Sequence, residues 1–69
     1  MISGIYKHKK TGKIYQVGGG IKVINTTNNQ NGKEMIMYII PNKPFEIYVK
    51  EKGEFEREFT LLKLDNNVN

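Results

Sequence analysis

No cysteine occurs anywhere in this chain of 69 residues, and its one histidine, His8, has no cysteine with which to share a metal. That absence constrains the fold more than any residue present. A domain this small leaves much of its surface exposed and has a thin core. Ordering it costs roughly 1.5 kcal/mol per residue, on the order of 100 kcal/mol in all, which burial and packing must offset. Disulfides and structural zinc are the usual staples of such domains; composition removes the first and argues against the second. Self-association is the device that remains. The expectation is one small domain over residues 1–69, with 65–69 frayed, that works as a homo-oligomer.

The hydrophobic pattern is that of short strands with turn punctuation. Ile5-Tyr6-Lys7-His8 and Ile14-Tyr15-Gln16-Val17 flank a polar loop with Gly12 near its end, which predicts a β-hairpin with a left-handed glycine. Gly18-Gly19-Gly20 then interrupts the pattern before Ile21-Lys22-Val23-Ile24 resumes it, as a bend or bulge at a barrel corner would. A polar loop from Asn25 to Lys33 ends on an Asn-Gly turn signal. Glu34 to Ile40 carries apolar side chains on both faces, which marks a central strand or one covered on its second face by another subunit. Pro41 to Pro44 is expected to end it. In Glu46-Ile47-Tyr48-Val49-Lys50, alternation predicts a strand with Ile47 and Val49 inward. Phe55, Phe59 and Leu62 stand at helical spacing after Gly53, so a short helical turn is expected near 54–58, followed by a closing strand. The fold class is all-β: a small SH3-like barrel of about five short strands with one helical turn. An open five-stranded sheet is the alternative.

Net charge is +4, yet the charge is divided. Residues 1–33 hold Lys7, Lys9, Lys10, Lys13, Lys22 and Lys33 and no carboxylate, whereas all seven acids follow from Glu34 onward. A basic half suits an anionic partner or an acidic patch on a second copy. Lysines also guard exposed strand edges, which accounts for them without any ligand. The longest apolar run, Met35 to Ile40, is far shorter than a membrane span, and the N-terminus has no signal-length apolar stretch. The expected location is the cytoplasm, with no membrane partner.

Catalytic constellations are sparse. The one serine, Ser3, sits beside the N-terminus, and Glu54, Glu56 and Glu58 are interleaved with Arg57 as on a solvated face. The triple glycine lacks the Gly-Lys-Ser/Thr ending of a phosphate loop. No enzyme, no catalytic residue, no metal and no cofactor is expected. Binding is the better reading, because tyrosines and His8 interleave with cations in the way that suits stacking on a base and pairing with phosphate. Along the first strand Tyr6 and His8 point one way, Lys7 and Lys9 the other. Tyr15 and Tyr38 are read as core, and His8 as either a hairpin hydrogen-bonding residue or a ligand contact. Lys50 and Arg57 suit either an anion contact or a salt bridge to Glu54 or Glu58. The candidate ligand-binding residues are Tyr6, His8, Tyr48, Lys50 and Arg57.

The segment Gly4-Ile5-Tyr6-Lys7-His8-Lys9-Lys10-Thr11-Gly12-Lys13-Ile14-Tyr15-Gln16-Val17 resembles the opening of domain-of-unknown-function family sixteen-fifty-three, short bacterial and phage proteins that begin Gly-x-Tyr-x-His-x-Lys and continue Gly-x-x-Tyr-x-Val. The family's Val-Tyr step is matched by Met37-Tyr38, and its Trp/Tyr-Val-Arg segment by Tyr48-Val49-Lys50 with Phe55 after it. The resemblance spans about residues 4–62. Lys50 stands where the family has arginine, a point charge in place of a bidentate fork. The resemblance implies a compact SH3-like β domain and no established activity. A separate analogy of size and style with small phage proteins, not a motif, suggests a sponge that sequesters a nucleotide signal of host antiviral defence, in the host cytoplasm. The leading expectation is a non-enzymatic, self-associating protein that holds an anionic, nucleotide-like ligand. The alternatives are an interaction module that acts on a host protein and a weak, nonspecific nucleic-acid binder.

Overall fold

Strands dominate the backbone because β-branched and aromatic residues fill the runs between glycine, asparagine and proline turns. The computed structural model describes residues 3–19, 21–27, 29 and 31–64. Its elements are β1 (Gly4–His8), β2 (Ile14–Val17), β3 (Val23–Ile24), β4 (Glu34–Ile40), β5 (Lys43–Glu51), α1 (Lys52–Glu58) and β6 (Phe59–Leu64). All described strand pairs are antiparallel, and they form one sheet in which β6 pairs β1, β1 pairs β2, β2 and β3 both pair β4, and β4 pairs β5. Among the described residues the protein is therefore mainly β with a single short helix, as expected. Six strands appear where five were expected, because the glycine segment splits one strand into β2 and β3, which meet β4 at different points.

The first hairpin forms as predicted, with Tyr6 opposite Tyr15 and Lys7 opposite Ile14. Gly12 takes φ +75° in the connecting loop, a left-handed conformation that a side chain disfavours. Gly4 answers a different demand: a Cβ there would run into the carbonyl oxygen of Lys63 on β6. The strand expected over Ile21–Ile24 is shorter, Val23–Ile24, and Ile21 stands exposed before it. Gly20, Asn28, Gln30 and the tail expected to fray, Asp65–Asn69, lie outside the described residues.

Two expectations for the middle of the chain are corrected. The proline-rich segment is not a loop from Pro41 to Pro44; the turn is Pro41-Asn42, and β5 begins at Lys43 and runs through Pro44. Proline is tolerated there because β5 lies at the edge of the sheet. Ile47 and Val49 do not point inward; they are 55% and 50% exposed. The register sets Tyr48 opposite Tyr38 and Lys50 opposite Ile36, so these two side chains share the face on which the core is built. Alternation was read correctly, but the apolar set lies on the outer face.

The core is aromatic. Tyr6, Val17, Ile36, Tyr38, Phe55 and Phe59 are buried, with Tyr15 packed against them, as expected of Tyr15 and Tyr38. α1 starts two residues before the expected turn, at Lys52, and takes Gly53 into its first turn. It has Glu54 in its first turn and Arg57 in its last, both favourable to the helix dipole. Its one buried side chain, Phe55, stacks on Phe59 at 4.1 Å between centroids and 5° between planes. Leu62, the third residue of that apparent helical stripe, is exposed in β6 instead. Phe55 is fully buried, so Phe55→Ala should cost about 3–5 kcal/mol by urea denaturation, whereas Leu62→Ala should change stability by under about 0.5 kcal/mol.

Candidate functional site

His8 ends β1 with its ring edge-on to Phe59, 4.8 Å between centroids. Its Nδ1 accepts hydrogen bonds from the backbone amides of Lys10 (3.2 Å) and Thr11 (3.3 Å). Two donors on Nδ1 assign the ring proton of the neutral imidazole to Nε2. The backbone of the same loop is held by His8 N–H to the Lys13 carbonyl and Gly12 N–H to the His8 carbonyl, each 2.9 Å. Lys9 N–H donates to the Glu58 carbonyl at the end of α1, also 2.9 Å, which ties the loop to the helix. The hydrogen-bonding role considered for His8 is therefore present, and it leaves Nε2–H 3.8 Å from a Glu58 carboxylate oxygen.

Around that nitrogen lies a surface depression of about 440 Å³, lined by His8, Lys9, Lys10, Arg57 and Glu58. Lys9, Lys10 and Arg57 form no ion pair with any described residue. Glu58 does: the Lys50 ammonium donates to Oε1 at 3.0 Å, the same oxygen that His8 approaches. Of the two roles weighed for Lys50, the salt bridge to Glu58 is the one formed. The hydrogen bond to Lys50 lowers the Glu58 pKa from its ordinary value, helped by the charges of Lys50, His8 and Arg57. The same bond raises that of Lys50. The depression thus has three cations, an imidazole N–H donor and one carboxylate whose charge a fourth cation offsets. Such a set can bind an anion and offer the edge of a ring beside it.

The five sequence candidates divide among three places. His8 and Arg57 line this depression. Lys50 reaches Glu58 from the other side and, with Tyr48, lines a second depression of about 490 Å³ together with Asn25, Met35, Tyr38 and Glu54. The Tyr48 hydroxyl donates to Glu46 at 3.0 Å, and that bond raises its pKa, with burial and the Glu46 charge adding to it. Tyr6 is turned into the core, its ring 5.2 Å from that of Phe55, and burial raises its pKa, with the Glu56 charge adding. Lys9 and Lys10 were not singled out as site residues. Their signal was the acid-free stretch in which they stand, which marks a basic region without saying which lysines meet. Among the described residues no group of three His, Asp or Glu side chains gathers to hold a metal, and no helix is long and apolar enough to cross a membrane.

Comparisons with protein-family models, curated proteins and solved structures match nothing to this chain.

The Lys50–Glu58 pair has a defined pH signature. Glu58, with a lowered pKa, contributes stability above the ordinary carboxylate value of 4.5 and loses it as pH falls through the lowered value. Lys50, with a raised pKa, contributes fully below its ordinary 10.5 and loses that as pH rises through the raised value. The Tm difference between wild type and Lys50→Met, measured by circular dichroism across pH, should be widest between those limits and shrink beyond each.

Proposed function

We propose that this chain is a non-enzymatic binding protein, self-associated, that holds an anionic, nucleotide-like ligand in the depression beside His8. The observation that carries the reading is the grouping of Lys9, Lys10 and Arg57, without ion pairs among the described residues, with His8 in one depression. Three cations held close together repel one another in the empty protein, and an anion relieves that repulsion. The loop that presents two of them is anchored by backbone bonds to β1 and α1, so little ordering is left for the ligand to impose. His8 adds a ring edge that a base could meet, with Phe59 packed behind it, and Lys50 keeps Glu58 from opposing the bound charge. Tyr48 and Lys50 would act from the adjoining depression, and Tyr6 by supporting Phe55 from below.

Membership in domain-of-unknown-function family sixteen-fifty-three belongs to the same proposal, resting on the Gly4–Val17 motif. So does the role of a phage-encoded sponge for a host defence nucleotide, acting in the host cytoplasm without a cofactor. The interaction-module and nucleic-acid readings are the competitors. Steep salt dependence of a gel shift with single-stranded DNA, with no response to mononucleotides, would favour the last of these.

A panel of nucleoside mono-, di- and triphosphates and cyclic dinucleotides, screened by thermal shift and followed by calorimetry, tests the reading. At least one should raise Tm. Arg57→Gln and Lys10→Gln should each weaken it about tenfold, by loss of one charge-assisted contact. Lys43→Gln, which does not line the depression, should leave affinity unchanged. A panel without a response overturns the proposal.

A further inference from the structure

His8 Nε2 and Glu58 Oε1 are 3.8 Å apart, beyond hydrogen-bond distance, and both residues line the same depression. Neither side chain is free to close that gap. Nδ1 accepts from the amides of Lys10 and Thr11, so the His8 ring cannot turn without giving up both bonds. The Lys50 ammonium holds Glu58 Oε1 at 3.0 Å, and the other carboxylate oxygen accepts no hydrogen bond from a described residue. An N–H donor and a carboxylate acceptor are thus fixed side by side with bonding capacity left over. Lys9, Lys10 and Arg57 line the depression with them. The group that satisfies such a pair accepts one hydrogen bond and donates another. An ionised phosphate oxygen only accepts, and it would meet the Glu58 charge, which the lowered pKa preserves. A ring N–H only donates. A hydroxyl does both from one oxygen, which can lie about 2.8 Å from each of two atoms that are 3.8 Å apart.

We infer that the gap between His8 and Glu58 takes a sugar hydroxyl, so that the depression selects a phosphorylated ribose over its deoxy counterpart. The hydroxyl accepts from His8 Nε2–H and donates to Glu58 Oε1, and a neighbouring hydroxyl of the same ribose donates to the second carboxylate oxygen. The phosphate of that molecule meets Lys9, Lys10 and Arg57. A base edge can also offer a donor beside an acceptor, but from two ring positions and farther from the phosphate than the sugar hydroxyls. One sugar therefore serves the carboxylate and the cations of a single small depression. The inference rests on the nucleotide site proposed above and narrows its ligand to ribonucleotides. Free ribose 5-phosphate presents the same hydroxyls and phosphate, and the test separates the two sources.

Calorimetry on the full chain compares each ribonucleotide of the panel with its form lacking the sugar hydroxyls, and adds ribose 5-phosphate. Wild type should bind the ribo form about tenfold more tightly, the effect of a hydrogen bond to a charged group. In Glu58→Met that preference should vanish. In Lys10→Gln it should persist while both forms weaken, because the lysine meets the phosphate and not the sugar. The wild-type comparison decides alone should Glu58→Met fail to fold. Equal binding of the ribo and deoxy forms by wild type overturns the inference and leaves the nucleotide reading standing. Ribose 5-phosphate that binds as tightly as every nucleotide supports the inference and overturns the nucleotide reading. Binding in no arm overturns both.

Discussion

The stack of Phe55 on Phe59 is the contact on which the rest of the molecule depends. The two rings are four residues apart, one on the helix and the other the first residue of the strand after it. Parallel at 4.1 Å, they carry the chain from α1 into β6 and set where β6 meets β1, with Phe59 opposite His8. Around them stand Tyr6 and Tyr38, each with its ring 5.2 Å from Phe55, and Tyr15, 5.4 Å from Phe59. Offset and edge-on aromatic pairs each add to the gain from burial. All the buried apolar side chains among the described residues gather in that one cluster.

The site inherits its geometry from the same stack. Glu58 immediately precedes Phe59, so fixing the ring fixes the carboxylate between Lys50 on β5 and His8 on β1. The Glu58 carbonyl holds Lys9, and His8 Nδ1 holds Lys10 and Thr11. Core aromatics, the Glu58 carbonyl and the His8 imidazole thus hold, through three backbone donors, the loop that carries Lys9 and Lys10 beside Arg57. Polar placement and apolar packing are consequences of one arrangement, and loosening the rings would loosen the cations.

Much of this was legible in the residues. The Gly12 hairpin, the central Glu34–Ile40 strand and the helical turn before the last strand follow from local pattern, because turn chemistry and side-chain period act over a few residues. Facing was legible only as alternation. Period two says that Ile47 and Val49 share a face opposite to Tyr48, but which face is inward is decided by β4, through the register that sets Tyr48 on Tyr38. Hydrophobicity chose the aliphatic pair; the cluster preferred the larger aromatic surface. The site was partly legible for the same reason. Cations in an acid-free half say that a basic region exists, and only the fold shows that Lys9 and Lys10 meet Arg57, from the far end of the chain, whereas Tyr6 goes to the core.

The inverted facing of β5 connects the thin core with the exposed apolar edge. One helix of seven residues can cover one face of a sheet, and α1 lies on the side where Ile36, Tyr38 and Phe55 are buried. Aliphatic residues on the other face, Met37 and Ile39 on β4 with Ile47 and Val49 on β5, have no second layer among the described elements. A longer chain would add a helix or a second sheet there. Among the described residues the core is closed by aromatic rings, and exposed apolar side chains collect on β5. The exposed aliphatic side chains of β5 are therefore the counterpart of a core that gathers its aromatic rings on the opposite face.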